Sequence, residues 1–184
     1  MFPSRATRRL LLTELQPDDE IALFQLFSNP AVVEYYDVDV FKDVSQAADL
    51  LRLFKARYDE KLGIRWAIRL KTTGQLIGSC GFNSWSSKMR SAVIGYDLLP
   101  EFWHQGYALE AVHSIIDAAF SGVLPCGALH RIQADTVPGN KASEALLLRL
   151  GFQFEGLRRE CGYWKGKFHD LNCFGLLDSE FSRA

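Results

Sequence analysis

The chain lacks the features that would export it, anchor it or staple it covalently. None of its four cysteines (Cys80, Cys126, Cys161, Cys173) stands in the close C-x-x-C spacing of a zinc or redox site. No window approaches the roughly 18 consecutive apolar residues of a membrane span. The opening MFPSRATRR is basic, but only Leu10-Leu11-Leu12 follows it, well below a signal-peptide core. These absences predict a cytoplasmic protein with reduced thiols and no membrane partner. A charge surplus is missing too. Lys and Arg number 21 against 22 Asp and Glu, which argues against a general grip on nucleic acid. No repeat, low-complexity run or linker divides the chain.

What is present is ordinary globular material. A length of 184 residues corresponds to about one domain. Such a chain hides on the order of 70% of its unfolded surface and needs no disulfide or metal. With 48% hydrophobic and 23% charged residues, it is neither disordered nor collagen-like. Thirteen Phe and four Trp point to a large apolar interior or an apolar pocket.

Periodicity supplies the element order. Arg8 to Leu15 reads as a first strand, and Pro17-Asp18-Asp19-Glu20 as a helix start with acids placed to favour the dipole. That helix ends near Ser28-Asn29-Pro30. A second runs from about Asp43 or Val44 to Lys61, with Val44, Ala47, Ala48, Leu51, Phe54 and Tyr58 in one apolar stripe. Ile64, Trp66, Ile68 and Leu70 alternate with Arg65, Ala67 and Arg69 as a strand. After Thr72-Thr73-Gly74 the chain returns as Gln75 to Phe82, and polar Asn83 to Lys88 leads to a third strand, Ala92 to Leu98. Cys80 and Cys173 sit inside apolar strand-like runs, as small buried hydrophobes. From Gly106 to Phe120 the residues Ala108, Ala111, Val112, Ile115, Ile116 and Ala119 form a helical face. A strand follows with His130, Ile132 and Ala134 on one side. Pro138-Gly139-Asn140 opens another helix, which Gly151 caps. Two last strands, near Gln153 to Cys161 and His169 to Leu177, flank a turn around Lys165-Gly166. The expectation is one α/β domain over residues 1–184. Its mixed central sheet has about seven strands flanked by about four helices, in the order β-α-α-β-β-β-α-β-α-β-β.

Chemistry concentrates where the strand ending Ile94-Gly95-Tyr96-Asp97-Leu98-Leu99 passes through Pro100-Glu101-Phe102-Trp103-His104-Gln105 into a helix opening at Gly106. The first backbone N–H groups of that helix lack internal partners and carry the positive end of its dipole, which suits a phosphate. Gly106 permits close approach of a ligand, and Ala108 does not crowd it. A second cluster is Asn140-Lys141-Ala142-Ser143 with Gly151-Phe152. Taken singly, Asn140 reads equally as an N-cap and Ser143 as an exposed first-turn hydroxyl.

In this order and spacing the segments resemble the GNAT superfamily of acyl-CoA-dependent N-acyltransferases. The likeness is closest to its RimJ/RimL-like branch of ribosomal-protein N-terminal acetyltransferases. It spans nearly the whole chain: Pro17-Asp18-Asp19 after the first strand, Ile94-Gly95-Tyr96, the run from Trp103 to Ala111, Asn140-x-x-Ser143 with Gly151-Phe152, and Gly166-Lys167-Phe168-His169-Asp170. The resemblance implies acetyl-CoA as acyl donor, no metal, and a homodimer as one possible assembly. It implies that the backbone of Gln105, Gly106, Tyr107 and Ala108 cradles the CoA pyrophosphate. Leu98 and Leu99 would hydrogen-bond the pantetheine arm, Asn140 would meet the arm from the next helix, and Ser143 would protonate the departing thiolate.

Two departures from the family pattern matter. His104 stands where relatives carry glycine, so the loop must manage without that freedom; a phosphate donor and an exposed histidine are its two readings. Val93 stands where many relatives carry the glutamate that helps deprotonate the amine. Asp97, four residues on and nominally on the same face, is the candidate replacement, provided that no bulge spoils the parity; Glu101 is another. Losing the glutamate favours an acceptor of low pKa, such as a protein α-amine, attacking directly in a ternary complex. A small amine (polyamine or antibiotic) is the alternative acceptor, and a non-catalytic acyl-CoA sensor the alternative class. The acceptor side is expected to involve the first two helices and Val32 to Asp39, where Glu34, Asp37 and Asp39 accompany Tyr35 and Tyr36. Trp85 either lines that mouth or covers the core.

Overall fold

The computed structural model describes residues 1–183. Its elements in chain order are β1 (Arg5–Ala6), β2 (Leu10–Glu14), α1 (Glu20–Phe27), α2 (Pro30–Val33), α3 (Val44–Asp59), β3 (Ile64–Leu70), β4 (Leu76–Ser86), β5 (Ser91–Leu98), α4 (Tyr107–Ser121), β6 (Arg131–Thr136), α5 (Lys141–Arg149), β7 (Gln153–Trp164) and β8 (Lys167–Leu177). The strands form one sheet in the order β1-β2-β3-β4-β5-β6-β8-β7. All pairs are antiparallel except β5 with β6.

The expected order holds once two small additions are set aside. The eighth strand is β1, two residues paired to Leu11 and Leu12, too short to show a period. The fifth helix is α2, one turn after Asn29, whose side chain caps Ala31 N–H at 3.0 Å while Pro30 takes the first helical position. Two boundaries also move. The stretch from Asn83 belongs to β4 as far as Ser86, with Asn83 as the extra residue of a bulge between Phe82 and Ser84. His130 lies exposed just before β6 and does not share the buried side of Ile132 and Ala134.

The sheet has a helical layer on each face. Ile64, Trp66 and Ile68 of β3 point into the main core with α4, whose Ala111, Val112, Ile115, Ile116 and Ala119 are fully buried. Each large side chain hidden this way contributes about 1.5–3 kcal/mol. The opposite face packs against α1, α2 and α3 through a smaller cluster around Leu23, Leu26, Phe27, Val33 and Ala47. The arginines of β3 face this layer, not water. Arg69 pairs with buried Asp19 at 2.6 Å, and Arg65 pairs with Asp97 beneath the Phe54 ring of α3.

Candidate active site

The site originates in the one parallel junction of the sheet. β5 and β6 pair only through Ser91–Val93 and Arg131–Gln133. Beyond those residues β5 continues to Leu98 and β6 to Thr136 with no pairing between them. The wedge opens into a cleft of about 770 Å³, reached by the N-terminal turns of α4 and α5.

One wall is the loop into α4. Gly106, at φ +79°, is the N-cap residue, and no side chain caps the first turn. The first intrahelical bond is donated by Glu110 N–H to the Gly106 carbonyl, at 3.1 Å. The N–H groups of Tyr107, Ala108 and Leu109 therefore have no helical acceptor, which leaves a positive helix end beside the cleft. Gly106 accommodates a left-handed turn that other residues adopt at a cost. His104 adopts one too, at φ +58°. The loop thus does not manage without glycine's conformation: it keeps that conformation and places a histidine in it, at about 1–2 kcal/mol of local strain. The His104 ring borders the cleft.

Side chains brace this loop from behind. The Trp103 indole donates to the Leu98 carbonyl at 2.8 Å, and the Gln105 amide donates to the Glu101 carbonyl at 2.7 Å. Arg9 stacks on the Tyr107 ring and donates to the Gln105 carbonyl at 3.0 Å and to Glu110 at 2.7 Å. Burial pushes the Glu110 carboxyl up, but the Thr7 hydroxyl and Arg9 outweigh it and hold it below the usual range. Leu99 and Gln105 do not line the cleft. Leu99 is buried in the smaller cluster and gives its N–H to Ile77 at 2.9 Å, so only Leu98 of the expected pair reaches the wedge.

The opposite wall is α5. The Asn140 carbonyl oxygen caps Ser143 N–H at 3.2 Å, so Asn140 is both an N-cap and a cleft residue. Ser143 Oγ meets the Tyr96 hydroxyl of β5 at 2.6 Å, across the wedge. Thr136, at the free end of β6, is 5% exposed and lines the cleft, and its hydroxyl is the one buried side-chain polar atom among the described residues without a partner. A buried hydroxyl left unmatched is costly.

Asp97 is not the free base expected. It does share a face with Val93, because the bulge adds its extra residue to β4 and leaves the alternation of β5 intact. However, its side chain is fully buried and ion-paired with Arg65. Ser79 N–H and Oγ lie 2.9 Å from one oxygen, and the Tyr36 hydroxyl lies 2.9 Å from the other. Burial would lower the Arg65 pKa, but Asp97 and Tyr36 hold it raised. Burial, then Asp97, pushes the Tyr36 phenol up. The carboxylate is saturated by donors and serves as a structural anchor. Glu101 is exposed on the loop and does not line the cleft.

The segment expected on the acceptor side reaches the cleft in part. Glu34, Tyr35, Tyr36 and Asp37 line it; Asp39 does not. The Tyr35 hydroxyl reaches the Gly139 carbonyl at 3.3 Å, and the Tyr36 hydroxyl also lies 2.9 Å from the Tyr96 carbonyl. Asp135, tied to Arg158 at 2.6 Å, and Trp164, stacked on His169, complete the rim. Trp85 packs against the main core and donates to the Lys61 carbonyl at 2.5 Å, away from this mouth. Sequence reasoning missed Arg9, Arg65, Thr136 and Asp135 altogether, and quoted Tyr96 without giving it a role.

A mixed sheet splayed at its one parallel junction, with an uncapped helix end in the wedge, defines an acyltransferase architecture, and comparison with known proteins names the family. The profile of the acetyltransferase (GNAT) domain matches residues 9–153. The chain belongs to the GNAT acetyltransferases. The N-acetyltransferase YoaA of Bacillus subtilis is 38% identical over 177 residues, 96% of this chain and 98% of its own. The N-acetyltransferase p20 of Bacillus licheniformis is 38% identical over 176 residues, 96% and 97% of the two chains. Among solved structures, the microcin C7 self-immunity acetyltransferase MccE, in complex with acetyl-CoA and AMP, superposes with a TM-score of 0.84 at 20% identity, covering 96% of this chain and 97% of its own. The ribosomal L7/L12 α-N-protein acetyltransferase RimL, with coenzyme A, gives 0.80 at 20% identity over 94% and 96%. The spermidine N-acetyltransferase of Vibrio cholerae, with CoA and spermine, gives 0.79 at 21% identity over 94% and 97%. Among the described residues, no helix is long and apolar enough to cross a membrane, and no cluster of three metal-ligating side chains occurs.

Proposed function

We propose that this acetyltransferase moves an acetyl group from acetyl-CoA to a protein N-terminal α-amine, by direct attack in a ternary complex. The cleft fits the donor because the uncapped α4 N-terminus suits the pyrophosphate. Bound acetyl-CoA supplies the thioester carbonyl that the amine attacks. The N–H groups of Tyr107 and Ala108, presented by Gly106, hold the phosphates, with His104 beside them. Leu98 and Asn140 orient the arm. Ser143 gives its hydroxyl proton to the departing sulfur as the C–S bond breaks, and the proton shed by the amine returns through water.

The single observation that carries the acceptor is the absence of a free base on β5. Val93 cannot accept a proton, and Asp97 is saturated by Arg65, Ser79 and Tyr36. Without a base on β5, an amine that is already neutral is the best matched acceptor. At pH 7 about a tenth of α-amines are neutral, against about one in 2,500 lysine ε-amines. The architecture shared with RimL accords with this reading. A small polycationic amine is the second reading, favoured by Glu34 and Asp37 at the mouth beside Tyr35. Four unpaired cysteines and a need for acetyl-CoA support a cytoplasmic setting.

Thiol release from acetyl-CoA is the test. The acceptors are a lysine-free peptide with a free N-terminus, an N-blocked lysine peptide, spermidine and an aminoglycoside. The N-terminal peptide should lead the lysine peptide by at least about tenfold in kcat/KM at pH 7. Preference for the lysine peptide or for spermidine overturns the α-amine assignment. Raised thermal stability with CoA but no release with any acceptor would instead mark a sensor.

A further inference from the structure

Tyr96 and Ser143 are 47 residues apart and belong to opposite walls of the wedge, yet their hydroxyl oxygens lie 2.6 Å apart. Among the described residues Ser143 Oγ makes no other hydrogen bond; its backbone N–H is occupied by the Asn140 cap. The direction of the shared proton follows from elementary chemistry. A phenol, with a pKa near 10, is a far stronger acid and a weaker acceptor than an aliphatic alcohol. Tyr96 therefore donates and Ser143 Oγ accepts. The other acceptor within reach of Tyr96, the Ser143 carbonyl at 3.4 Å, is too distant to compete. Once Ser143 Oγ accepts from Tyr96, its own hydrogen has only the cleft to point into.

Tyr96 is well placed to hold that orientation. Its side chain packs against the main core, and its backbone is held in β5 opposite Cys80 of β4. Burial pushes its phenol up to about 12, against a smaller lowering by Ser143, so it stays protonated across the physiological range. A donor chain of this kind also polarises its middle member, making Ser143 a better donor than an isolated serine.

We propose that Tyr96 is a positioning residue for the acyl-transfer step: by donating to Ser143 Oγ it directs the serine proton at the place where the CoA sulfur departs. This rests on the reading of Ser143 as the group that meets the sulfur.

The test uses Tyr96→Phe, Ser143→Ala and the double variant in the full chain, after thermal melting confirms that each is folded. Tyr96→Phe should lower kcat about tenfold and leave KM for acetyl-CoA within about twofold, the mark of an interaction that matters after binding. The double variant should be no slower than Ser143→Ala, because Tyr96 acts only through the serine. Binding gives a readout without turnover. The wild type should bind CoA more tightly than desulfo-CoA, in which hydrogen replaces the thiol, and both single variants should lose that preference. An unchanged kcat in Tyr96→Phe, multiplicative losses in the double variant, or a thiol preference that survives Tyr96→Phe would each overturn the proposal. A wild type that binds neither CoA nor desulfo-CoA would overturn the acetyl-CoA reading itself, and this inference with it.

Discussion

The two sides of the wedge are built by different means. The donor side is made mostly of backbone: an uncapped helix end at Gly106, a capped turn at Asn140, and the unpaired ends of β5 and β6. The side proposed for the acceptor is made of side chains drawn from distant segments. Tyr36, Arg65, Ser79 and Asp97 close into one buried network across sequence separations of 61, 32 and 18 residues. A backbone site depends on φ, on small residues and on where a helix starts, so it tolerates change elsewhere. A buried network fails as a unit, because removing one member strands the others. The two sides should therefore break differently.

The largest effect is expected at the network. Asp97→Asn leaves the buried Arg65 charge without its counter-ion and should destabilise the fold by about 3–5 kcal/mol, read as a lower urea midpoint. Near-native stability with a lost kcat would instead restore Asp97 as a base. On the donor side, Gly106→Val forces a β-branched residue into the left-handed turn, costing about 1–3 kcal/mol of folding stability. It should also raise KM for acetyl-CoA by more than about tenfold while the surviving kcat changes little. Thr136→Val, a near-isosteric loss of one unmatched buried hydroxyl, should leave the protein equally or more stable in thermal melting and CoA binding within about twofold by calorimetry. The smallest effect is expected at His104→Gly. Relief of the left-handed strain is partly offset by the entropy of an added glycine, for a net gain of at most about 1 kcal/mol in thermal melting.

The same contrast explains what the sequence made legible. Element order followed from periodicity, whereas the roles expected of Gly106, Asn140 and Ser143 came from the family resemblance, since taken singly each also reads as a cap or a first-turn residue. The strand beyond Asn83 was hidden because ladder hydrogen bonds belong to the backbone and need no apolar alternation where β4 runs out toward solvent. Arg65 and Arg69 read only as the alternate positions of a strand; nothing local shows that a helical layer covers them. Asp97 illustrates the limit most clearly. Its face was inferred correctly from a period of two, but its chemistry was decided by Arg65, Ser79 and Tyr36, which no spacing rule connects. Thr136 was hidden for the opposite reason, since an unmatched hydroxyl becomes visible only when every neighbour is known.

If β5 carries no free base, the acceptor must supply its own basicity. The most direct measurement is kcat/KM between pH 6.5 and 9.5 for acceptors of graded amine pKa. The expected result is a rise of about tenfold per pH unit, levelling at the pKa of whichever amine is used. A plateau at one pH for every acceptor would place a titrating base in the enzyme and contradict it.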